Sequence, residues 1–171
     1  MFRIAVIPAV LLATLLSGCT GYQLGGSQPS HLSDIQSIQV SVVRNQTQMP
    51  RAGAHATNAI SNALIQDGTY RLGSASTADA RLETTLTSIE YSQLRSTRFD
   101  ALRSAEIEMT VEFEWSLVNA SDPRHILETG RTIGTTSFFV VPNLQTARQN
   151  ALPDALKRAA DSMVGRLADS F

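Results

Sequence analysis

From Glu106 to Leu117 apolar and polar residues alternate without a break, with Ile107, Met109, Val111, Phe113, Trp115 and Leu117 on one side and Glu106, Glu108, Thr110, Glu112, Glu114 and Ser116 on the other. A period of two is what an extended chain shows when one face is buried and the other wet, so this stretch predicts a strand of an antiparallel sheet covered on one side. A shorter alternation over residues 35–43 turns Ile38, Val40 and Val42 inward and predicts the first strand. Residues 80–93 also read as extended, but the apolar parity changes between Leu82/Leu86 and Ile89/Tyr91. A β-bulge near Thr87 reconciles both pairs with one core face. Tyr70-Arg71-Leu72 predicts a short strand. Beyond the turn-forming Asn119-Ala120-Ser121-Asp122-Pro123, residues 126–141 predict the last long strand, ending in Phe138-Phe139-Val140-Val141.

The period lengthens in two places. From about Pro50 to Gln66, Ala52, Ala56, Ala59, Ile60, Ala63 and Leu64 share one helical face, with Gly68 placed to end the helix. The face is alanine-rich, which lets such a helix lie close against a sheet. From about 143 to 169 two adjacent columns appear, one of Ala147, Ala151, Ala155, Ala159, Met163 and Leu167, the other of Leu152, Leu156, Ala160 and Val164. Pro153 lies in a third column with Lys157 and Asp161. The helix therefore either kinks there on its solvent side or is broken, with Pro153 in the first turn of a second half. The element order β-α-β, then an antiparallel run with long arms, then a terminal helix, gives an α+β domain with two helices packed on one face of a mixed, mostly antiparallel sheet.

The amino end obeys a different rule. Arg3 precedes an unbroken apolar run, Ile4–Leu16, which is too short to span a bilayer comfortably and is followed by small residues. It reads as an export signal covering residues 1–18. Leu16-Ser17-Gly18-Cys19 matches a bacterial lipobox at all four positions, and Cys19 is the chain's one cysteine. A solitary thiol cannot form an internal disulfide, whereas acylation accounts for it. Lipid on Cys19 anchors the chain durably, since each buried methylene contributes about 0.8 kcal/mol. Thr20 stands where an aspartate would favour inner-membrane retention, so the expected location is the periplasmic side of the outer membrane. Residues 19–33 form the acylated amino terminus and a short leash containing Gly25 and Gly26, and residues 34–171 form a single domain.

Fourteen basic residues stand against fifteen acidic ones, and Arg3 leaves with the signal, so no global basic field suggests nucleic acid. The sequence carries no nucleophile elbow, phosphate loop or dinucleotide fingerprint, and His31, His55 and His125 lack a second ligand at metal spacing. The glutamates at 106, 108, 112 and 114 lie on one wet pleat, which favours a solvated face over paired catalytic carboxylates. No catalytic residue, metal or cofactor other than the lipid on Cys19 is expected. Arg95, Arg98 and Arg103 crowd the connection between the two long strands, relieved only by Asp100. Two readings stay open: guanidinium recognition of phosphate or carboxylate, or a charged hairpin tip that discourages edge pairing.

The chain also resembles the LptE family of lipopolysaccharide-assembly lipoproteins. The resemblance rests on Cys19-Thr20-Gly21-Tyr22-Gln23-Leu24, on the strand Ile38–Val43 leading into Asn45-Gln46-Thr47-Gln48-Met49-Pro50 and a helix, on Ala78-Asp79-Ala80-Arg81-Leu82, and on the alanine-rich last helix. It implies two helices on a four-stranded sheet, no enzymatic activity, and residence in the lumen of an LptD-like outer-membrane β-barrel. There the protein would act as plug and assembly factor in delivering lipopolysaccharide. Family members contact lipopolysaccharide through basic loop residues, which strengthens the first reading of Arg95, Arg98 and Arg103. The alternative function is a lipoprotein activator or adaptor of peptidoglycan synthases, or a secretin pilot. Such proteins often carry a longer leash than this one.

Overall fold

The computed structural model describes residues 28–95, 106–140 and 143–169. Of Arg95 only the backbone is described, and Cys19, Arg98 and Arg103 lie outside the described residues. After a 3-10 turn at Ser30–Leu32, the chain runs through β1 (Ser37–Val40), β2 (Arg44–Asn45), α1 (Ala52–Asp67), β3 (Arg71–Leu72), β4 (Ala80–Arg95), β5 (Glu106–Asn119), β6 (Ile126–Phe139) and α2 (Leu144–Ala168). The strands form one six-stranded sheet in the order β3-β1-β4-β5-β6, with β2 pairing beside β1 on β4. This corrects the four-stranded, mostly antiparallel expectation. β1 runs parallel to both β3 and β4, β2 runs parallel to β4, and only the β4-β5-β6 meander is antiparallel. The parallel half follows from connectivity, because a helix between β1 and β3 returns the chain in the same direction.

The first strand is shorter than its alternation predicts. Val42 is 80% exposed and Val43 is buried instead, so the core face shifts by one residue. The cause lies in the helix above. Val43 donates its N–H to Thr57 Oγ1 at 3.0 Å, and Thr57 in turn donates to the carbonyl of Gly53 at 2.8 Å. That bond takes Val43 out of strand pairing, and β2 resumes at Arg44. The predicted bulge is present, with the β4/β5 register shifting between Leu86 and Ser88. Leu82, Leu86, Ile89 and Tyr91 consequently all pack against the one core.

Both helices lie on one face of the sheet. α1 buries Ala52, Gly53, Ala56, Ile60, Ala63 and Leu64, and ends where Gly68, at φ +78°, donates to the carbonyl of Leu64. α2 is unbroken through the exposed Pro153, so the second of the two alternatives fails. A proline costs little here because the carbonyl deprived of its donor belongs to Gln149, on the exposed flank. α2 settles on β6 at Gly134, where a Cβ would stand 2.1 Å from the carbonyl oxygen of Ala155 and 2.4 Å from the amide of Ala159. Helix backbone thus rests directly on strand backbone.

The chain entering this domain is also tied down. The side-chain amide of Gln28 donates to the carbonyls of Leu32 and Ile35, and Leu32 is fully buried. Asp79 collects the amides of Gln36 and Ser37 and the hydroxyl of Ser37 on one carboxylate oxygen, stapling the start of β1 to the start of β4. The Ser37 hydroxyl, with the Gln36 amide behind it, holds that carboxyl below the usual range.

Replacing Gly134 by alanine is expected to lower the unfolding free energy by roughly 2–3 kcal/mol, because neither backbone can yield to the added methyl. Denaturant unfolding of the soluble domain checks this, and a loss under about 0.5 kcal/mol would mean that helix and strand do not touch there.

Candidate functional site

The long strands give the domain two poles. β5 has fourteen residues, so at about 3.4 Å per residue its ends stand about 45 Å apart. At one pole the entering chain, the C-terminus of α1, the β5-β6 turn and the end of α2 meet. At the other lie the end of β4, the start of β5, the end of β6 and the first turn of α2, together with the 46–49 turn. Arg95 is at this second pole, its backbone opposite Glu106 across the hairpin. The strand ends that flank the predicted arginine-rich connection, Arg95 and Glu106, therefore lie at the pole opposite to Gln28, where the described chain begins.

The second pole carries a cleft of about 450 Å³ lined on one side by Gln46, Thr47 and Met49, and on the other by Tyr91, Gln145 and Arg148. Each wall has a local cause. Asn45 closes the first: its carboxamide accepts from the amide and hydroxyl of Thr47 and donates to the carbonyl of Met49. Asn143 caps α2, accepting from the amides of Gln145 and Thr146 at 2.9 and 3.2 Å. The bulge turns Tyr91 towards the helices, where its hydroxyl lies 3.6 Å from the Met49 sulfur.

Arg148 stands with its guanidinium carbon 4.2 Å from the centroid of the Tyr91 ring. Its Nε is buried without a hydrogen-bond partner, and among the described residues no carboxylate pairs with it. Burial pushes the Tyr91 hydroxyl up, and the Arg148 charge opposes that shift. An unpaired arginine held flat on an aromatic ring in a polar cleft suits an anionic group, which it can meet with paired, charge-assisted hydrogen bonds. The sequence reading missed it. The signal was there, because Arg148 sits one turn before Leu152 at the head of an apolar column, a place where a charged side chain needs a reason.

The glutamate row lies on the open face of the sheet as its alternation predicts, and it is not simply solvated. Arg131 of β6 reaches across to both Glu112 and Glu114. Among the described residues no group of three or more His, Cys, Asp or Glu could hold a metal ion, and no helix is long and apolar enough to cross a membrane. His31 instead faces Glu128 at 3.5 Å, at the leash pole. There the buried Tyr70 hydroxyl donates to the carbonyl of Leu167 at 2.7 Å.

The family model described as LptE, lipopolysaccharide-assembly, matches residues 35–167. No curated protein matches the chain. Among solved structures the fold is similar to that of a candidate lipoprotein from Caulobacter crescentus CB15, at 20% identity and a TM-score of 0.50, covering 74% of this chain and 88% of that one. It is similar also to the hypothetical protein CT253 from Chlamydia trachomatis, at 8% identity and a TM-score of 0.51 over 78% of this chain and 96% of that one. A minor lipoprotein from Acinetobacter baumannii shares the fold at 10% identity and a TM-score of 0.50, over 79% and 94% of the two chains.

Burial, with Glu128 as a second cause, pushes Tyr70 up from 10.0 to about 12. A hydroxyl with a raised folded pKa contributes stability that is complete below pH 10 and lost as pH climbs towards 12. Unfolding followed by the fluorescence of the single tryptophan should show that alkaline decline. Tyr70→Phe, which strands the Leu167 carbonyl, should lose about 1–2 kcal/mol at neutral pH and decline less steeply. An identical alkaline slope in the variant would remove Tyr70 from the account.

Proposed function

Because the chain belongs to the LptE family of lipopolysaccharide-assembly proteins, we propose that it is the lipoprotein subunit of an outer-membrane lipopolysaccharide translocon. In this reading acyl chains on Cys19 hold it to the periplasmic side of the outer membrane, and its domain seats in the lumen of an LptD-like β-barrel. It plugs that barrel, assists its assembly and helps lipopolysaccharide reach the outer leaflet. The observation that carries the reading is a family match running from Ile35 to Leu167, which takes in the whole sheet and both helices.

The geometry supports it in two ways. A domain tethered at one pole and about 45 Å long exceeds the roughly 30 Å hydrocarbon thickness of a bilayer, so the far pole of a seated plug reaches across the membrane. That far pole is the one with Arg148 over Tyr91, and β4 ends there at Arg95, the residue that leads in sequence towards Arg98 and Arg103. Lipopolysaccharide carries phosphate and carboxylate groups that such guanidinium groups recognise.

Recovery with the tagged protein tests the partner: a barrel in the LptD size range should come down with it, and a penicillin-binding protein in its place would overturn the reading. Cys19→Ser is expected to shift the protein from the outer-membrane fraction to the soluble periplasm, and unchanged fractionation would remove the anchor. Arg148→Ala should weaken lipopolysaccharide binding about tenfold, the loss of one charge-assisted contact of about 1.5 kcal/mol, and Arg95→Ala, Arg98→Ala and Arg103→Ala together by more. Unchanged affinity in both variants would end the assignment of this pole to lipopolysaccharide.

A further inference from the structure

The far side of β6 is an open edge among the described residues, since β6 closes the strand order. Which of its backbone groups face outward follows from register. In an antiparallel strand the N–H and C=O of one residue point to the same side, and successive residues alternate. On β5 the carbonyl of Glu112 turns towards β4, where it accepts from the Thr87 hydroxyl at 3.2 Å. The odd residues of β5 therefore turn to β6, and their partners there are the even residues Gly130, Thr132 and Gly134. The N–H and C=O of Thr129, Arg131, Ile133, Thr135 and Ser137 are left facing the edge. An independent contact agrees: Arg166 of α2 donates to the carbonyl of Arg131 at 3.0 Å, which requires that carbonyl to point outward.

Beyond Arg131 this edge lacks the usual defences. Native sheets blunt an open edge with charges, prolines or short strands. β6 has fourteen residues, and from Thr132 to Val140 it carries no charge and no proline, while Ile133 and Phe139 are more than half exposed on the open face. Beside its first half, between β6 and α2, runs a cleft of about 530 Å³ lined by Trp115, Glu128, Thr129, Ser162, Gly165 and Arg166. The indole of Trp115 lies across Gly130, where a Cβ would meet it at 2.5 Å. Trp115 is 96% buried, at 4% exposure, yet among the described residues its Nε1–H finds no acceptor, and Glu128 Oε2 accepts no hydrogen bond there and lies 3.5 Å from the His31 ring. Among the described residues a buried donor and a buried acceptor without hydrogen-bond partners thus belong to two side chains of one cleft, beside a row of outward amides and carbonyls.

We infer that the β6 edge and this cleft form a strand-addition site for an extended polypeptide segment of a partner protein. Only a peptide backbone offers carbonyls and amides at the spacing of Thr129, Ile133, Thr135 and Ser137. Every second side chain of such a strand would point to the helix side, and the one beside Gly130 enters the cleft. A carboxamide, from asparagine or glutamine, suits those two side chains, since its oxygen would accept from Trp115 Nε1 and its nitrogen would donate to Glu128. A carboxylate would be repelled by Glu128. The inference rests on the translocon reading to the extent that a partner built of strands is at hand.

The test uses the acylated full chain in its native envelope. Thr135→p-benzoylphenylalanine, photolysed in cells, should give one adduct whose mapped site lies in an extended segment of the barrel. No adduct from Thr135 overturns the inference, and so does an adduct of twice this chain's mass, which would mean pairing between copies. Thr135→Pro removes an outward N–H while leaving the β5-β6 ladder intact. It should lower barrel recovery roughly tenfold, with the circular dichroism melting curve of the soluble domain kept as a check on folding. Trp115→Phe, which replaces the indole by a smaller ring without the donor, should lower recovery about threefold to fivefold, with the same melting curve as its check on folding. Undiminished recovery with folded Thr135→Pro overturns the edge while leaving the translocon reading standing. An edge adduct to the mapped strand of a protein other than a barrel does the reverse.

Discussion

The contact between α2 and β6 at Gly134 sets the geometry of the rest. With no Cβ on the strand and only alanines, 155 and 159, on the helix, the two backbones approach until they touch. A helix of 25 residues lying that low covers β6 and part of β5 by itself, and α1 covers the parallel half of the sheet. The core between them is correspondingly thin and rich in alanine, with Phe113, Met109, Leu156 and Met163 as its larger buried members. Everything that could carry function is pushed to the two poles, the open face and the far edge.

The poles differ in chemistry as well as in position. At the leash end three polar side chains are spent on closure: Gln28 on two carbonyls, Tyr70 on Leu167, Asp79 on the amides that open β1. At the hairpin end a cation, Arg148, is held ready with a ring beneath it and, among the described residues, no counter-charge. This division fits a molecule fastened at one end and reactive towards ligands at the other.

Much of the fold was legible in the residues. The unbroken alternation of β5, the parity change that marks the bulge at Leu86/Ser88, and the two helical stripes each correspond to an element in place. What escaped depended on contacts between elements. Val42 and Val43 are indistinguishable by composition, and the choice between them is made by the Thr57 hydroxyl fourteen residues away. The residues predicted five strands and the family resemblance four; the sixth, β2, escaped because it is two residues long and exists only by pairing Arg44 and Asn45 with Thr85 and Leu86. Pro153 could not be resolved into kink or break without knowing that the flank it disturbs faces water. Of the site, the arginines between β4 and β5 were visible as a cluster, whereas Arg148 shows in the sequence only as a charge at the head of an apolar column and gains its role once Tyr91 is turned beneath it.

The Tyr70–Leu167 bond joins residues 97 apart, and the segment around Gln28 packs against that same corner. Contacts of such sequence separation form late, because the whole intervening chain must be ordered before they gain anything. In the export proposed above, a chain delivered from its amino end would present Gln28 long before its last helix, and the corner cannot shut until that helix arrives. Until then β6 is bare on its helix side as well as along its rim. Such a polypeptide has a built-in waiting period, during which escort by a chaperone matters more than it does for a domain whose ends close early.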